Sequence, residues 1–227
     1  MKTINLLLSL FLTLPIAHTL PTDDLTLPSR PSSPSSSPPI PSGYSIVPLT
    51  WSLPLDPSSP STLHEFNGTV QQVHAQLLSL NPNWDIDFNF NITTSSSISS
   101  IPDPIPSSLS KRDWTDCSAP STHGPALDRN AIYWGIEYLR GLSGQAQRGP
   151  GPRSCGRVSC SWNSAIWYCN NNSYTKYMPW YHIANAAEVL WHNCQYFLSN
   201  WWFAGWVIKG ERWHDDGWFV IIAEEGC

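Results

Sequence analysis

Two stretches in the second half of the chain show the apolar spacing of amphipathic helices. The first runs from Asp128 to Leu142, and Gly141 lies where such a helix is expected to end. Its apolar side chains recur every three or four residues, so they fall on one helical face. They are Ile132, Ile136 and Leu139. The pattern predicts a helix over this stretch.

The second predicted helix begins near Pro179, a residue that suits a first helical turn. Apolar residues follow at spacings of four, three and four, namely Ile183, Ala187, Leu190 and Cys194. Cys194 is therefore expected on the buried face, where a disulfide would tie the helix to a sheet. Between the helices, the alternation from Arg157 to Asn170 predicts two short strands, or one strand with a bulge.

The chain ends in a predicted β-hairpin. Asp216-Gly217 is a preferred two-residue turn, which places Asp215 opposite Trp218 and Lys209 opposite Glu224. In this register one face is the predicted core and carries Ile208, Phe219, Ile221 and Ala223. The other face must be covered or used for binding, and carries Glu211, Trp213, Val220, Ile222 and Glu224.

The order helix, two strands, helix, two strands predicts an α+β fold. We expect a small sandwich, stapled by disulfides, with two helices packed on one face of an antiparallel sheet. This domain is expected to span residues 113–227.

The N-terminal part is of a different composition. Residues 1–20 have a charged start and a short apolar run, as in a secretory signal peptide, and the run is shorter than the about 20 residues that span a bilayer. Residues 21–112 are rich in Ser and Pro and are expected to be a disordered pro-segment. Within them, Leu63 to Leu80 has helical spacing and is expected to dock on a partner surface. Sequons at Asn67, Asn91 and Asn171 are candidate glycosylation sites.

The pair Lys111-Arg112 stands where the composition changes. In a Ser-rich segment of a secreted chain it is a candidate site for a kexin-type processing protease, although a solvated charge pair is the alternative. Cleavage would release residues 113–227, which carry eight basic and ten acidic side chains. This nearly neutral balance argues against binding to nucleic acid, and no membrane span is predicted.

All six cysteines lie in the C-terminal segment: Cys117, Cys155, Cys160, Cys169, Cys194 and Cys227. An even number in a small secreted segment predicts three disulfides, whose pairing the spacing leaves open. The spacings lack the close pairs of a zinc site, so we expect no metal and no cofactor.

No motif of a known catalytic centre is present, such as Gly-x-Ser-x-Gly or His-Glu-x-x-His. Acidic residues do cluster around the final hairpin. In the predicted register Glu211 and Glu224 share a face, at a separation that a glycosidase pair would need. We interpret the cluster as a solvated hairpin end and predict no catalytic residue.

Tryptophan is unusually frequent, with 11 of the 13 residues in the C-terminal segment. Most should fill the core. A few are expected to remain exposed and form a binding surface, because Trp is enriched in interaction hot spots. The candidates are Trp201, Trp202, Trp213 and Trp218.

Two stretches resemble a known family. The sequence CGRVSCSWNSAIWYCNN, from Cys155 to Asn171, is similar to a motif of small cysteine-rich proteins secreted by filamentous fungi. The stretch LDRNAIYWGIEYLR, from Leu127 to Arg140, resembles the helix that accompanies it. The layout is also loosely similar to that of fungal killer toxins with α/β sandwich folds.

The sequence thus predicts a secreted, extracellular, non-enzymatic interaction protein, effector-like or toxin-like, released by dibasic processing. Its partner would be an extracellular protein or a glycan, and its oligomeric state is left open. The alternative is a carbohydrate-binding or cell-wall-active module, including a weak glycoside hydrolase.

Overall fold

The structure is a computed structural model that describes residues 37–90, 113–142, 145–146 and 151–227. The predicted signal peptide, the Lys111-Arg112 pair and Asn91 lie outside these ranges. Within them, no helix has the length and apolarity needed to cross a bilayer.

Four helices and twelve strands are formed by the described residues. The helices are α1 Val70–Leu80, α2 Trp84–Asp87, α3 Arg129–Gly141 and α4 Trp180–Asn193. The strands are β1 Ser45–Ile46, β2 Thr50–Pro54, β3 Leu63–Asn67, β4 Trp114–Asp116, β5 Gln145–Ala146, β6 Ser154–Ser161, β7 Ser164–Asn170, β8 Met178–Pro179, β9 Gln195–Ser199, β10 Ala204–Ile208, β11 Gly210–Trp213 and β12 Trp218–Glu224.

Both helices predicted in the C-terminal segment are confirmed. The α3 helix is capped by Asp128, whose side chain accepts hydrogen bonds from the backbone N–H groups of Asn130 and Ala131. The α4 helix follows Pro179 and ends before Cys194. The apolar residues predicted for their inner faces are all buried.

The main sheet has six strands in the order β1-β6-β7-β12-β11-β4, antiparallel except for the edge pair of β1 and β6. The strands predicted from Arg157 to Asn170 are the hairpin β6–β7. Its turn is Trp162-Asn163, both with positive φ, and its first strand contains an irregularity between Arg157 and Ser159. The other sheets have the orders β3-β2-β5-β8 and β10-β9.

Helices α1, α3 and α4 contact one face of the main sheet, so the predicted α+β sandwich is confirmed. Strands β7 and β12 run through the middle and are buried on both faces. The sheet face that the helices cover contributes to the larger hydrophobic cluster, which includes Ile166, Val220 and Ile222. The opposite face, here called the second face, contributes to a smaller cluster that includes Trp167, Phe219 and Ile221.

The disorder predicted for residues 21–112 is wrong for residues 37–90. This part of the chain forms β1 to β3, α1 and α2. The stretch from Leu63 to Leu80, predicted as a helix that docks on a partner surface, instead packs on the chain's own core, and only Val70–Leu80 is helical. Ser and Pro dominate the average composition of residues 21–112, and this average hides a segment that is rich in apolar residues. Its apolar residues are concentrated after Pro48, where they find a complementary surface in the C-terminal segment.

All six cysteines are paired, as predicted. Cys117–Cys194 joins the end of α4 to the residue after β4. Cys155–Cys169 bridges the neighbouring strands β6 and β7, and Cys160–Cys227 ties the end of the chain to β6. The expected tether between α4 and the sheet is therefore the Cys117–Cys194 bond.

Candidate binding surface

The final hairpin has a register one residue away from the prediction. Trp213 is opposite Phe219, and Glu211 is opposite Ile221. The loop has three residues instead of two, because His214 still donates its backbone N–H to the carbonyl of Trp218. Gly217 occupies the positive-φ position that ends such loops, at φ +83.

A shift of one residue changes which side chains of the two strands share a face of the sheet. Val220 and Ile222, predicted on the non-core face, lie under the helices. Trp218 lies there too and is only 4% exposed, so this candidate surface residue is core. The predicted cross-strand pair of Lys209 and Glu224 does not form, because the pairing of β11 with β12 ends at Gly210, which is opposite Ile222.

Trp213, the central binding candidate, is packed between two other rings. Its ring stacks on Phe219 with centroids 3.7 Å apart, and it lies parallel to Trp114 at 5.6 Å. Its indole N–H donates to Glu211 at 2.8 Å. These contacts leave the side chain half-buried, so Trp213 supports the second face of the sheet.

The two carboxylates considered as a glycosidase pair lie on opposite faces of the sheet. Glu211 shares the face of Ile221, whereas Glu224 follows Ile222 on β12 and shares that strand's other face. They cannot flank one sugar ring from these positions. Glu211 is also 93% removed from solvent, and burial raises its pKa, against which the hydrogen bond from Trp213 acts.

The pKa of Glu211 leads to a pH-dependent prediction. A raised pKa means that the folded protein binds this proton more tightly than the unfolded chain does. In the unfolded chain a Glu side chain has a pKa of about 4.3. Above this pH the ionised Glu211 carboxylate therefore lowers the free energy of unfolding, and at more acidic pH it has little effect. We expect Glu211→Gln to raise the urea midpoint at pH 7 and to leave it nearly unchanged at pH 4.

Glu65→Gln is the matched control, since Glu65 is an exposed carboxylate on β3. It should leave the urea midpoint unchanged at both pH values. A Glu211→Gln protein that is destabilised at pH 7 would show that the ionised carboxylate stabilises the fold.

Five of the exposed aromatic side chains among the described residues belong to the two-stranded sheet β9–β10, here called the aromatic hairpin and comprising residues Gln195–Ile208. Among the described strands it pairs with none but its own. Trp201 at its tip is 95% exposed, and Trp202 follows it in the loop. Three further rings of the hairpin are exposed: Tyr196, Phe197 and Trp206. Trp201 and Trp202 are the two candidates that the structure leaves on the surface.

The loop of the hairpin is held by Asn200. Its side-chain oxygen accepts hydrogen bonds from the backbone N–H groups of Trp202 and Phe203, at 3.1 and 2.9 Å. Its own N–H donates to the carbonyl of Phe203. This local bonding, typical of Asn in turns, holds Trp201 at the outermost point.

The base of the hairpin is anchored to α3 and α4. Arg129, at the start of α3, donates to the side chain of Gln195 at 2.8 Å. Its guanidinium lies 5.8 Å from the ring centroid of Trp206 and 5.9 Å from that of Trp191. Trp206 also meets Phe197 edge to face across the two strands. The exposed rings are thus supported from below by α3 and α4. Phe197 and Trp206 were not among the predicted surface residues, although Asn200 between the two strands is a residue that favours turns.

A cavity of about 370 Å³ lies between residues 38–49 and the second face of the sheet. Its charged groups are Arg157 and Glu225, paired at 3.3 Å, and Glu225 also accepts from the indole of Trp167. Thr69 and Gln72 line the cavity as well. Burial raises the pKa of Glu225, and the charge of Arg157 opposes this rise.

The remaining candidate residues stand apart from these surfaces. Asn67 and Asn171 are exposed, and Asn171 accepts a hydrogen bond from the hydroxyl of Tyr44. Glycosylation at both stays a prediction. In the part of the chain that the structure describes, no group of His, Cys, Asp or Glu side chains could hold a metal ion.

Comparison of the chain with protein-family models, with curated protein sequences and with solved structures gives no match in any of the three. The site must therefore be interpreted from its own geometry.

Proposed function

We propose that this protein is a secreted, non-enzymatic interaction protein, effector-like or toxin-like, that binds an extracellular protein through the aromatic hairpin. The observation that carries the proposal is the exposure of five large aromatic side chains on one anchored hairpin. Phe197 and Trp206 share one face of the hairpin, and Tyr196 lies on the other. Large exposed apolar side chains grouped on one element of a folded protein are typical of an interaction site. Trp and Tyr are also the residue types that dominate the binding energy of protein interfaces.

Secretion is supported by the disulfides, which persist in oxidising compartments. Processing after Arg112 would make Asp113 the new amino terminus. Its carboxylate accepts hydrogen bonds from Arg212 at 3.1 Å and from the backbone N–H of Asp215, and it lies 2.8 Å from His214 Nδ1. The residue that would become the new amino terminus is thus already held on the main sheet.

A protein partner is favoured over a glycan by the polar groups of the hairpin tip. Sugar sites combine a stacked ring with polar side chains that are free to bond hydroxyl groups. At this tip the side-chain oxygen of Asn200 is occupied by its own loop. Arg129, at the base of the hairpin, donates through one amino group to Gln195. The tip itself presents the rings of Trp201 and Trp202, which suit a hydrophobic protein surface.

The test is to truncate the hairpin tip. Trp201→Ala should leave the free energy of unfolding within about 0.5 kcal/mol of the native value, because an exposed side chain has few contacts to lose. Binding to an extracellular protein fraction should fall by about tenfold or more, as for a hot-spot Trp. Binding is measured as retention of the labelled protein, with and without protease treatment of the fraction.

Trp162→Asn is the matched control, because Trp162 is 79% exposed in the turn of another hairpin. Asn tolerates its positive φ. This variant should bind like the native protein. Retention on chitin, β-glucan or cellulose that Trp201→Ala abolishes would instead support the carbohydrate-binding alternative. Equal loss of binding in both variants would contradict the assignment of the surface to the hairpin.

A further inference from the structure

The N-terminal segment, residues 37–90, and the C-terminal segment, residues 113–227, are built around one core. Nine of the 29 buried residues of the larger hydrophobic cluster come from the N-terminal segment. They are Leu49, Trp51, Leu53, Phe66, Val70, Val73, Leu77, Trp84 and Phe90. A segment that supplies this share of a core is a structural part of the domain.

The centre of this shared core is a pair of stacked indoles. Trp51, on β2, lies parallel to Trp180, at the start of α4, with ring centroids 3.7 Å apart. Both side chains are completely buried. The indole N–H of Trp51 donates to the carbonyl of Gly68 at 2.8 Å. Separation of the segments would expose the face of Trp180 to water.

The second face of the main sheet is covered by the beginning of the N-terminal segment. Ile40 and Tyr44 pack against the cluster that contains Phe219, and the Tyr44 ring meets Phe219 edge to face at 5.6 Å. The hydroxyl of Tyr44 donates to Asn171 in the C-terminal segment. The N-terminal segment thus covers both faces of the sheet that the C-terminal segment provides.

Backbone and side-chain hydrogen bonds also cross between the segments. Strand β1 pairs with β6, and the N–H groups of Ser45 and Val47 donate to the carbonyls of Arg153 and Cys155. At the irregularity of β6, Gln71 of α1 donates to Ser159 at 2.7 Å and accepts from the N–H of Cys160 at 3.2 Å. These bonds satisfy strand groups that would otherwise lose their partners.

No covalent bond joins the segments apart from the chain between them. All six cysteines lie in the C-terminal segment, and all three disulfides are formed within it. Cleavage between residues 91 and 112 would therefore leave only non-covalent contacts.

We propose that the N-terminal segment remains bound after processing, so that the active protein is a non-covalent complex of two chains. The proposal rests on the processing proposed above for its biological setting, but the physical claim concerns a cut anywhere between the segments. The partner that fits the exposed core of the C-terminal segment is then the N-terminal segment of the same molecule.

The experiment starts from the purified full chain, cut in solution by a kexin-type protease. The cut protein is passed over a gel-filtration column under native conditions and again in urea without reductant. We expect the two chains to elute together at the mass of the uncut protein and to separate only in urea. A C-terminal chain that elutes alone and keeps its native circular dichroism would overturn the proposal.

Two variants of α1 test the contacts that are claimed. Gln71→Ala removes the bonds to Ser159 and Cys160 and should raise the dissociation constant of the cut protein by about tenfold. Gln76→Ala is the control, because Gln76 bonds only to carbonyls of its own segment, those of Asn67 and Gln72. It should leave the dissociation constant unchanged. Equal dissociation constants for both variants and the native protein would show that the Gln71 contacts do not hold the segments.

Failure of retention can be separated from failure of processing. If the kexin-type protease does not cut the chain, the processing hypothesis fails. A second version, in which Lys111-Arg112 is replaced by the recognition sequence of a site-specific protease, still allows the cut. Co-elution of the two chains after that cut would support the retention of the N-terminal segment even if dibasic processing does not occur. Separation of the two chains would contradict the retention, whatever protease cuts the chain in nature.

Discussion

Trp51→Ala should lower the free energy of unfolding of the intact chain by about 3 to 5 kcal/mol, the range for truncation of a large buried aromatic side chain. Trp51 has no exposed surface and stacks on Trp180. Alanine would leave a cavity against that ring and would leave the carbonyl of Gly68 without its indole donor. The effect should appear as a lower midpoint in urea unfolding followed by circular dichroism.

The position of Trp51 makes this test informative. If residues 37–90 were a disordered tail, the substitution would change stability little. A change within about 0.5 kcal/mol, as for ordinary surface residues, would show that the N-terminal segment does not contribute to the core. Ile86→Ala is the control from the same segment, since Ile86 is 81% exposed. It should leave the urea midpoint unchanged.

Loss of the disulfide between Cys117 and Cys194 should cost about 4.5 kcal/mol when estimated from loop closure. The bond closes a loop with a sequence separation of 77 residues, so it removes many conformations from the unfolded chain. It also joins the end of α4 to the edge of the main sheet. The double variant Cys117→Ala/Cys194→Ala, compared with the native protein in urea, measures the effect.

The bond between Cys155 and Cys169 is the comparison, with a sequence separation of 14 residues. Loop closure predicts about 3 kcal/mol for its removal. Cys155→Ala/Cys169→Ala should therefore be less destabilising than the first double variant. If removal of the Cys155–Cys169 bond lowers the free energy of unfolding as much as removal of the Cys117–Cys194 bond does, packing of the buried sulfur atoms outweighs chain entropy.

The N-terminal segment, residues 37–90, is part of the folded domain and not a disordered tail. It contributes a sheet strand, a helix and the stacked Trp51, and it covers the face of the sheet that contains Phe219. The aromatic face predicted to be available for binding is therefore covered from within the chain. The aromatic hairpin becomes the exposed surface that a partner can reach.

Local sequence patterns were enough to predict the helices of the C-terminal segment. Ile132, Ile136 and Leu139 form the buried face of α3, and Asp128 caps it. Ile183, Ala187 and Leu190 do the same for α4. Such elements are predictable because the spacing of apolar residues and the capping side chain act over a few positions. The three disulfides followed from the even number of cysteines.

Three features depend on contacts between distant parts of the chain: the register of the final hairpin, the burial or exposure of each tryptophan, and the packing of residues 37–90 in the core. Asp216-Gly217 is compatible with a two-residue or a three-residue loop, and the choice between them decides whether Trp213 and Val220 share a face of the sheet. Trp201 and Trp218 are chemically identical, yet one is exposed and the other is core. Trp51 lies next to a Ser- and Pro-rich stretch and is ordered by Trp180, which follows it by more than a hundred residues. Contacts of this range depend on which surfaces the whole chain brings together, so the local pattern of apolar residues does not encode them.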